Sequence, residues 1–262
     1  MKTTRFLIPF FALLLLGACK SETKVTTYED LYKEQPVCII AAPVQDNAPR
    51  PVAKTTQDEV LNDEYSAAAV YLRQCIAAPL AAQGYYTLAP LSADVILGKV
   101  GKDYRQLQLD GLTELHSRYG IDAVLLVAIH KWQRPEINEV VVFAEYTLRS
   151  TKSGLELMHT WVRGNKIQPV DVKGEPAELP GDLAFMERNQ MDSRLAHICI
   201  LVQQMTDFAL RNLPTSVSRW HFQHDQYIPS NPAFYSFTIN PDGSIERSKY
   251  SEDAFGNECF TD

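Results

Sequence analysis

The sequence predicts an α/β fold: a mixed β-sheet packed by two long helices, in the order β-α-β-α-β-β-β-α, with an extended C-terminal appendage. Apolar residues recur at three- and four-residue spacing over 58–83 and again over 191–213, which predicts the two long helices. The segments 121–132, 139–151 and 155–165 are apolar or alternate, which predicts three strands, the last two joined as a hairpin.

Shorter segments complete the predicted order. Residues 36–44 form an apolar run bounded by prolines, which predicts a buried strand, and 85–91 combine aromatic and β-branched residues, which predicts another. The pattern over 103–119 predicts one or two helical pieces that stop at Gly120. Pro79 should bend or shorten the first long helix near its end.

The first eighteen residues have the organisation of a cleaved export signal. Lys2 and Arg5 precede the apolar run FLIPFFALLLL, and two small residues follow it. As a helix this run would reach only about 17 Å, against a hydrocarbon core of about 30 Å, so it is too short for a stable membrane span. A buried core helix is the other alternative, and Pro9 and the all-round apolarity of the run disfavour it.

The end of that signal resembles the bacterial lipobox, in which a small residue precedes a cysteine. The residues are Leu16-Gly17-Ala18-Cys19. The resemblance implies cleavage before Cys19, diacylglycerol on its thiol and an acyl chain on its amine, with no other cofactor. The alternative is an ordinary signal that leaves a free cysteine. Lys20, rather than an aspartate, follows the cysteine. By the sorting rule of Gram-negative lipoproteins this resembles an outer-membrane address, so we expect a periplasm-facing protein anchored there.

These features divide the chain into four segments. They are a signal peptide (1–18), a polar lipidated tether (19–35), a periplasmic α/β domain (36–213) and an aromatic and proline-rich C-terminal extension (214–262). Removal of the signal takes the formal net charge from −7 to −9, because Lys2 and Arg5 are lost. An acidic domain disfavours a nucleic-acid partner and a polybasic grip on anionic lipid. We therefore expect membrane attachment through the lipid anchor.

Four cysteines remain after Cys19, in an exported chain where disulfides can persist. They allow three full pairings, and their spacing does not select one. No pair has the CxxC spacing of a zinc ribbon or a thioredoxin-type motif. Cys75 and Cys199 fall in the two long predicted helices, so they could form a disulfide if those helices pack side by side.

No group of residues predicts catalysis or a metal site. His221 and His224, with Asp225 beside them, are the most metal-like cluster, but the HExxH pattern is absent and the segment has no helical period. His130 and His159 fall on predicted strands and are interpreted as hydrogen-bonded sheet residues. No segment assembles a nucleophile, a base and oxyanion donors. We therefore expect a protein that is not an enzyme.

Aromatic residues are concentrated in the C-terminal extension, where they alternate with prolines. Such a segment either packs over the sheet or forms a recognition surface, where aromatic residues are enriched. The segment 240–243, NPDG, predicts a hairpin turn. A free edge strand would offer a second docking mode by strand addition, to another protein or to a second copy of the chain. The candidate interaction surface consists of Trp220, Phe222, Tyr227, Phe234 and Tyr235.

Three phrases, AQGYYTLAPL, YGIDAVLLVAIHKW and YTLRSTKSGLELMHTWV, resemble a GNA-type family of bacterial lipoproteins of unknown function, known from genome-derived candidate antigens. The resemblance covers 36–165 and, less closely, 191–213. It implies a fold similar to the N-terminal domain of TolB and to periplasmic parts of LpoB and CsgG, which are assembly and regulatory components, and it brings no catalytic residues.

Together these observations predict a non-catalytic, lipid-anchored envelope protein. Its periplasmic domain would bind other envelope proteins as an accessory of an assembly, transport or secretion system. The alternative is a carrier that holds a lipid or another small molecule in a pocket between the sheet and the helices.

Overall fold

The computed structural model describes residues 25–50, 56–101, 106–107, 112–136, 138–168, 193–216, 230–232, 234–247, 251–252 and 258–259. The predicted signal peptide and Cys19 lie outside the described residues. The same holds for the predicted metal-like cluster of His221, His224 and Asp225.

The described helices are α1 (Glu29–Glu34), α2 (Thr56–Cys75), α3 (Ala77–Ala82), α4 (Pro90–Val100), α5 (Thr113–Tyr119) and α6 (Ser193–Leu210). The strands are β1 (Val25–Thr27), β2 (Cys38–Ala41), β3 (Gln45–Asp46), β4 (Tyr86–Thr87), β5 (Ala123–Gln133), β6 (Glu139–Ser150), β7 (Glu156–Ile167), β8 (Ser230–Pro232), β9 (Phe234–Ile239), β10 (Ile245–Arg247), β11 (Ser251–Glu252) and β12 (Glu258–Cys259).

An eight-stranded mixed sheet forms the centre of the fold. Its order is β10-β9-β7-β6-β5-β2-β4, and β3 also pairs with β5. The meander β5-β6-β7 is antiparallel, whereas β2 is parallel to β4 and β5, and β9 is parallel to β7. The α/β fold with a mixed sheet and two long helices is therefore confirmed.

Helices cover both faces of this sheet. The long-helix face packs against α2 and α6, and the main core forms there from residues that include Leu72, Val142, Tyr146 and Val202. The short-helix face packs against α4 and α5 at its β2–β5 side, where Val124 and Leu126 join a second core with Leu97 and Leu115. The alternation of side chains along β5 assigns successive residues to opposite faces.

Glycine sets the distance between α6 and the sheet at one point. A Cβ atom at Gly164 of β7 would lie 2.8 Å from Leu201 Cδ1 and 2.8 Å from Met205 Cγ. Such distances are shorter than van der Waals contact, so any larger residue would push α6 away from the sheet. The helix and the strand are therefore in direct contact here.

Prolines determine two element boundaries. The predicted helix over 58–83 is interrupted at Ile76, because Pro79 cannot donate a backbone hydrogen bond and its ring clashes with the carbonyl four residues earlier. The predicted strand over 85–91 is wrong beyond Thr87. There Pro90 starts α4, since its fixed φ suits the first helical position. The predicted stop at Gly120 is confirmed, with a left-handed φ of +66°.

Part of the predicted tether is folded. Strand β1 and helix α1 lie within residues 19–35, the segment predicted to be a polar tether. Tyr28 and Leu31 are buried in the main core, three residues apart on one side of the chain. Two apolar residues are enough to attach a short, otherwise polar segment to the domain. Because the rest of the segment is polar, its composition did not predict that it is folded.

Part of the C-terminal extension also joins the domain. Strand β9 lies beside β7 in the main sheet, and β10 continues it as a hairpin. The predicted turn is confirmed: the Gly243 amide donates to the Asn240 carbonyl at 2.9 Å, and Gly243 has a φ of +83°. Within the residues that the structure describes, no helix is both long and apolar enough to cross a membrane.

Candidate functional site: a histidine, glutamate and aromatic cluster on the sheet

Five side chains from three adjacent strands meet on the short-helix face of the sheet. Strand β5 contributes one, β6 two and β7 two, and the register brings Glu145 opposite Ala128 on one side and Trp161 on the other. All five side chains are partly buried. We call this group the His-Glu-aromatic cluster; it consists of His130, Phe143, Glu145, His159 and Trp161.

Glu145 is the centre of the cluster. Its Oε2 lies 3.0 Å from His130 Nε2, and its Oε1 lies 2.7 Å from His159 Nε2. His159 Nδ1 also lies 3.5 Å from Oε1 of Glu156. One carboxylate thus holds an imidazole on each side, and one of these imidazoles lies between two carboxylates.

Aromatic rings surround this ionic group. The Trp161 ring stacks on Phe143 with centroids 5.0 Å apart and planes 15° apart. The imidazoles of His130 and His159 approach the same Trp161 ring, at centroid distances of 5.0 Å and 5.8 Å. The rings exclude water from part of the ion pairs, and this strengthens the electrostatic attraction between the charges.

The charges in the cluster stabilise one another. Burial raises the pKa of Glu145, but the hydrogen bonds with His130 and His159 outweigh it, and the pKa falls to about 2. Hydrogen bonds to Glu145 and Glu156 raise the pKa of His159 to about 9, against the opposing effect of burial. At neutral pH Glu145 is therefore a carboxylate and His159 an imidazolium.

This arrangement suits recognition better than proton transfer. A general base needs a pKa close to the working pH, whereas His159 holds its proton firmly. Both Nε2 atoms are turned to the carboxylate of Glu145, and no group of three or more His, Cys, Asp or Glu side chains in the described part of the chain has the geometry of a metal site. Partly buried aromatic rings beside fixed charges are typical of protein-binding surfaces.

The structure brings Cys75 and Cys199 to the contact between α2 and α6, and both thiols are free. Tyr71 lies beside both, since it packs against Cys199 and is hydrogen-bonded to Cys75. Burial raises the pKa of Cys75 to about 11 and that of Cys199 to about 12. The side-by-side packing on which the predicted disulfide depends is present, and the bond itself stays a prediction.

The candidate aromatic surface is only partly described. Trp220, Phe222 and Tyr227 lie outside the described residues. Phe234 begins β9, opposite Trp161. Tyr235 is a correction: it is buried in the main core because β9 turns it towards α6, where its ring lies 6.2 Å from that of Phe208.

His130 and His159 lie on strands as hydrogen-bonded residues, as predicted, but no sequence pattern predicts that they share Glu145. Side chains alternate between the two faces along β6 and β7, which a tight turn joins, and this alternation places Glu145 and His159 on one face. Their proximity could therefore be predicted in part from the sequence. The face on which His130 lies could not be predicted from alternation, because the register of β5 shifts between Ile129 and Lys131.

The chain matches no protein-family model and no curated protein. Among solved structures it is similar to the lipoprotein GNA1162 from Neisseria meningitidis, with 19% identity and a TM-score of 0.37 over 59% of this chain and 96% of that one. It is also similar to the PelC dodecamer from Paraburkholderia phytofirmans, with 10% identity and a TM-score of 0.35 over 68% of this chain and 88% of that one. A third similar structure is the LpoB C-terminal domain from Salmonella enterica, with 8% identity and a TM-score of 0.28 over 49% of this chain and 82% of that one. Such identities and TM-scores are too low to transfer a function.

Proposed function

We propose that this chain is a lipid-anchored envelope protein, held in the outer membrane by acyl chains on Cys19, whose periplasmic domain binds another envelope protein without catalysing a reaction. It would serve as an accessory of an assembly, transport or secretion system. The observation that carries the binding role is the His-Glu-aromatic cluster, and the lipobox-like sequence before Cys19 carries the anchor.

The cluster supports a binding surface through its composition and its rigidity. Trp161 and Phe143 offer aromatic area, and the ion pairs of Glu145 fix the charged groups in place before a partner arrives. A surface ordered in advance loses less conformational entropy on binding. Lys131, exposed and directly across the β5–β6 pair from Phe143, adds a charged residue at the margin of the cluster.

The carrier alternative finds no support in the packing. A carrier needs space between the sheet and the long helices, yet α6 contacts β7 directly at Gly164. The neighbouring core positions, Leu201, Val202 and Met205, are fully buried by contacts within the protein. A lipid chain in this layer would have to displace several of these side chains.

Site-specific photo-crosslinking in intact cells would test the binding role. A photoreactive amino acid in place of Lys131 samples the cluster, and the same amino acid in place of Val70, exposed on α2 on the other side of the domain, is the matched control. We expect an adduct with an envelope protein from position 131 and none from position 70.

Two results would contradict the proposal. One is an adduct from position 70 with none from position 131. The other is the absence of any protein adduct at either position while a lipid co-purifies with the domain. The second result would favour the carrier function.

A further inference from the structure

Three buried polar residues meet where β7 ends and α6 begins. Lys166 is the last but one residue of β7, Gln168 follows the strand, and His197 lies near the N-terminal end of α6. Only 7% of Lys166, 1% of Gln168 and 3% of His197 is exposed. Such residues are rarely buried to this degree without partners.

The contact between β7 and α6 brings the three side chains into the same layer, between the strand and the helix. Lys166 and Gln168 follow Gly164 at two-residue steps, so all three face α6. Leu201 lies against Gly164, and His197 is one helical turn before Leu201, in the direction of Lys166. The charge of Lys166 accordingly affects the imidazole of His197.

The described residues provide no counter-charge for this group. Lys166 forms no ion pair among them, and both ring nitrogens of His197 and both amide atoms of Gln168 lack hydrogen-bond partners there. On the neighbouring strands, Lys166 has Val140 and Ile239 beside it, which are apolar and buried.

The adjacent carboxylate of β6 is directed elsewhere. Glu139 lies on the opposite face of the sheet, where its Oε1 accepts a hydrogen bond of 2.6 Å from Asn165 Nδ2. The burial of the Gln168 amide and the His197 imidazole without hydrogen-bond partners is unfavourable unless a ligand completes the site.

We propose that Lys166, Gln168 and His197 bind a small oxyanion, a carboxylate or a phosphate group. The Gln168 amide and one N–H of His197 are buried donors with no acceptor of their own among the described residues, and Lys166 adds a positive charge close enough to act on His197. An oxyanion would accept from all three and would balance the charge of Lys166. The positive end of the 18-residue helix α6 adds to the attraction.

The protonation states fit this role. Burial, and then the charge of Lys166, lower the pKa of His197 to about 4, so its imidazole is neutral and keeps one N–H donor. Burial also lowers the pKa of Lys166. A bound anion would favour the charged forms and would raise both pKa values, which gives a direct signal of binding.

Titration of the full chain in detergent with inorganic phosphate, at constant ionic strength set with sodium chloride, would test the site. The readouts are the NMR resonances of His197 and the thermal midpoint of unfolding. We expect phosphate to raise the pKa of His197 and the midpoint. Acetate and a short-chain phosphatidic acid, tested in the same way, would distinguish a carboxylate and a lipid headgroup from free phosphate.

Variants decide whether the effect belongs to this site. Lys166→Met should weaken phosphate binding by about tenfold or more, the effect of losing a charged hydrogen bond. Lys99→Met, which changes an exposed lysine of α4, should bind as the wild type does.

The proposal fails if none of the three anions changes the His197 resonances of the wild-type chain, or if Lys166→Met and Lys99→Met respond to phosphate alike. The measurement on the wild-type chain decides even if Lys166→Met does not fold. An unresponsive wild type would mean that Lys166 is a buried lysine without a ligand.

Discussion

Glu145 Oε1 lies 2.7 Å from His159 Nε2, across two strands of the sheet. This ion pair raises the pKa of His159 to about 9 and contributes to the low pKa of Glu145, about 2. It therefore links the stability of the domain to pH in two separate ranges.

The first prediction concerns this pH dependence. The folded pKa of His159 lies above its ordinary value of 6.5, so its stabilisation is complete below about pH 6.5 and is lost as the pH rises through about 9. Glu145 behaves in the opposite sense, since its stabilisation is present above about pH 4.5 and is lost as the pH falls through about 2. Glu145→Gln should remove on the order of 1 kcal/mol at pH 6, because solvent partly screens the pair.

Urea unfolding at several pH values would measure this effect. Glu156→Gln is the matched control, because Glu156 is more exposed and lies 3.5 Å from His159 Nδ1. Its effect should be smaller. An unfolding free energy of Glu145→Gln that varies with pH as the wild type does would contradict the prediction.

A second prediction follows from the close contact at Gly164. Gly164→Ala should destabilise the domain by about 1–3 kcal/mol, since the new Cβ would lie 2.8 Å from Leu201 and Met205. Gly98→Ala is the control: Gly98 is helical and a Cβ atom added there would have no neighbour within 4 Å, so alanine should be neutral or stabilising by up to about 1 kcal/mol. Thermal unfolding of both variants would measure the difference, and equal midpoints would show that α6 is not held tightly at this point.

Arg73 supports a third prediction, because it connects α2 to β2 and α4. Its Nη2 donates to the Ala41 carbonyl at 2.7 Å and to Asp94 Oδ1 at 2.6 Å, while Nη1 donates to Asp94 Oδ2 at 2.9 Å. Arg73→Met should lower the free energy of unfolding by about 1–3 kcal/mol, since the carbonyl loses its donor. Arg73→Lys should restore little, because an ammonium cannot reproduce the planar fork.

The exposed partner provides the comparison for Arg73. Asp94→Asn leaves the bond to Ala41 intact and should cost less than Arg73→Met in chemical denaturation. If the aspartate variant were the more destabilised of the two, the carbonyl contact would not be the important one.

The fourth prediction concerns Cys75 and Cys199. Because burial raises both pKa values, to about 11 and about 12, the free thiols should resist iodoacetamide in the folded protein and react after unfolding. Mass spectrometry before and after denaturation would count the modified cysteines. If the two residues stayed unmodified in the denatured chain until a reductant was added, they would be joined by the predicted disulfide.

The fifth prediction tests the anchor. Cys19→Ala should leave an unprocessed precursor and abolish labelling with radioactive or alkyne-bearing fatty acid, because the residue that carries the acyl chains is gone. Cys38→Ala is the control and should be processed and labelled normally. Normal processing and labelling of Cys19→Ala would exclude the lipoprotein assignment.

Local patterns predicted much of the central sheet. The three strands β5, β6 and β7 agree with the predicted segments to within a few residues, because alternation and apolar runs are visible within a single strand. Gly120 and the turn before Ser244 are likewise confirmed, since left-handed backbone angles favour glycine. The strand predicted over 85–91 failed at Pro90, where the helix-starting role of proline outweighed the β-propensity of its neighbours.

The sequence by itself determined the α/β order and the long helices, and it alone carries the prediction of an exported, lipid-anchored protein, because each depends on residues within about one helix or strand length. Only the tertiary structure decided that β9 lies beside β7, that Tyr28 and Tyr235 belong to the core, and that His130 and His159 share Glu145. The same holds for the approach of His197 to Lys166. These contacts join segments far apart in the chain, and they form because they bury apolar surface, a property of the whole fold that no local pattern contains.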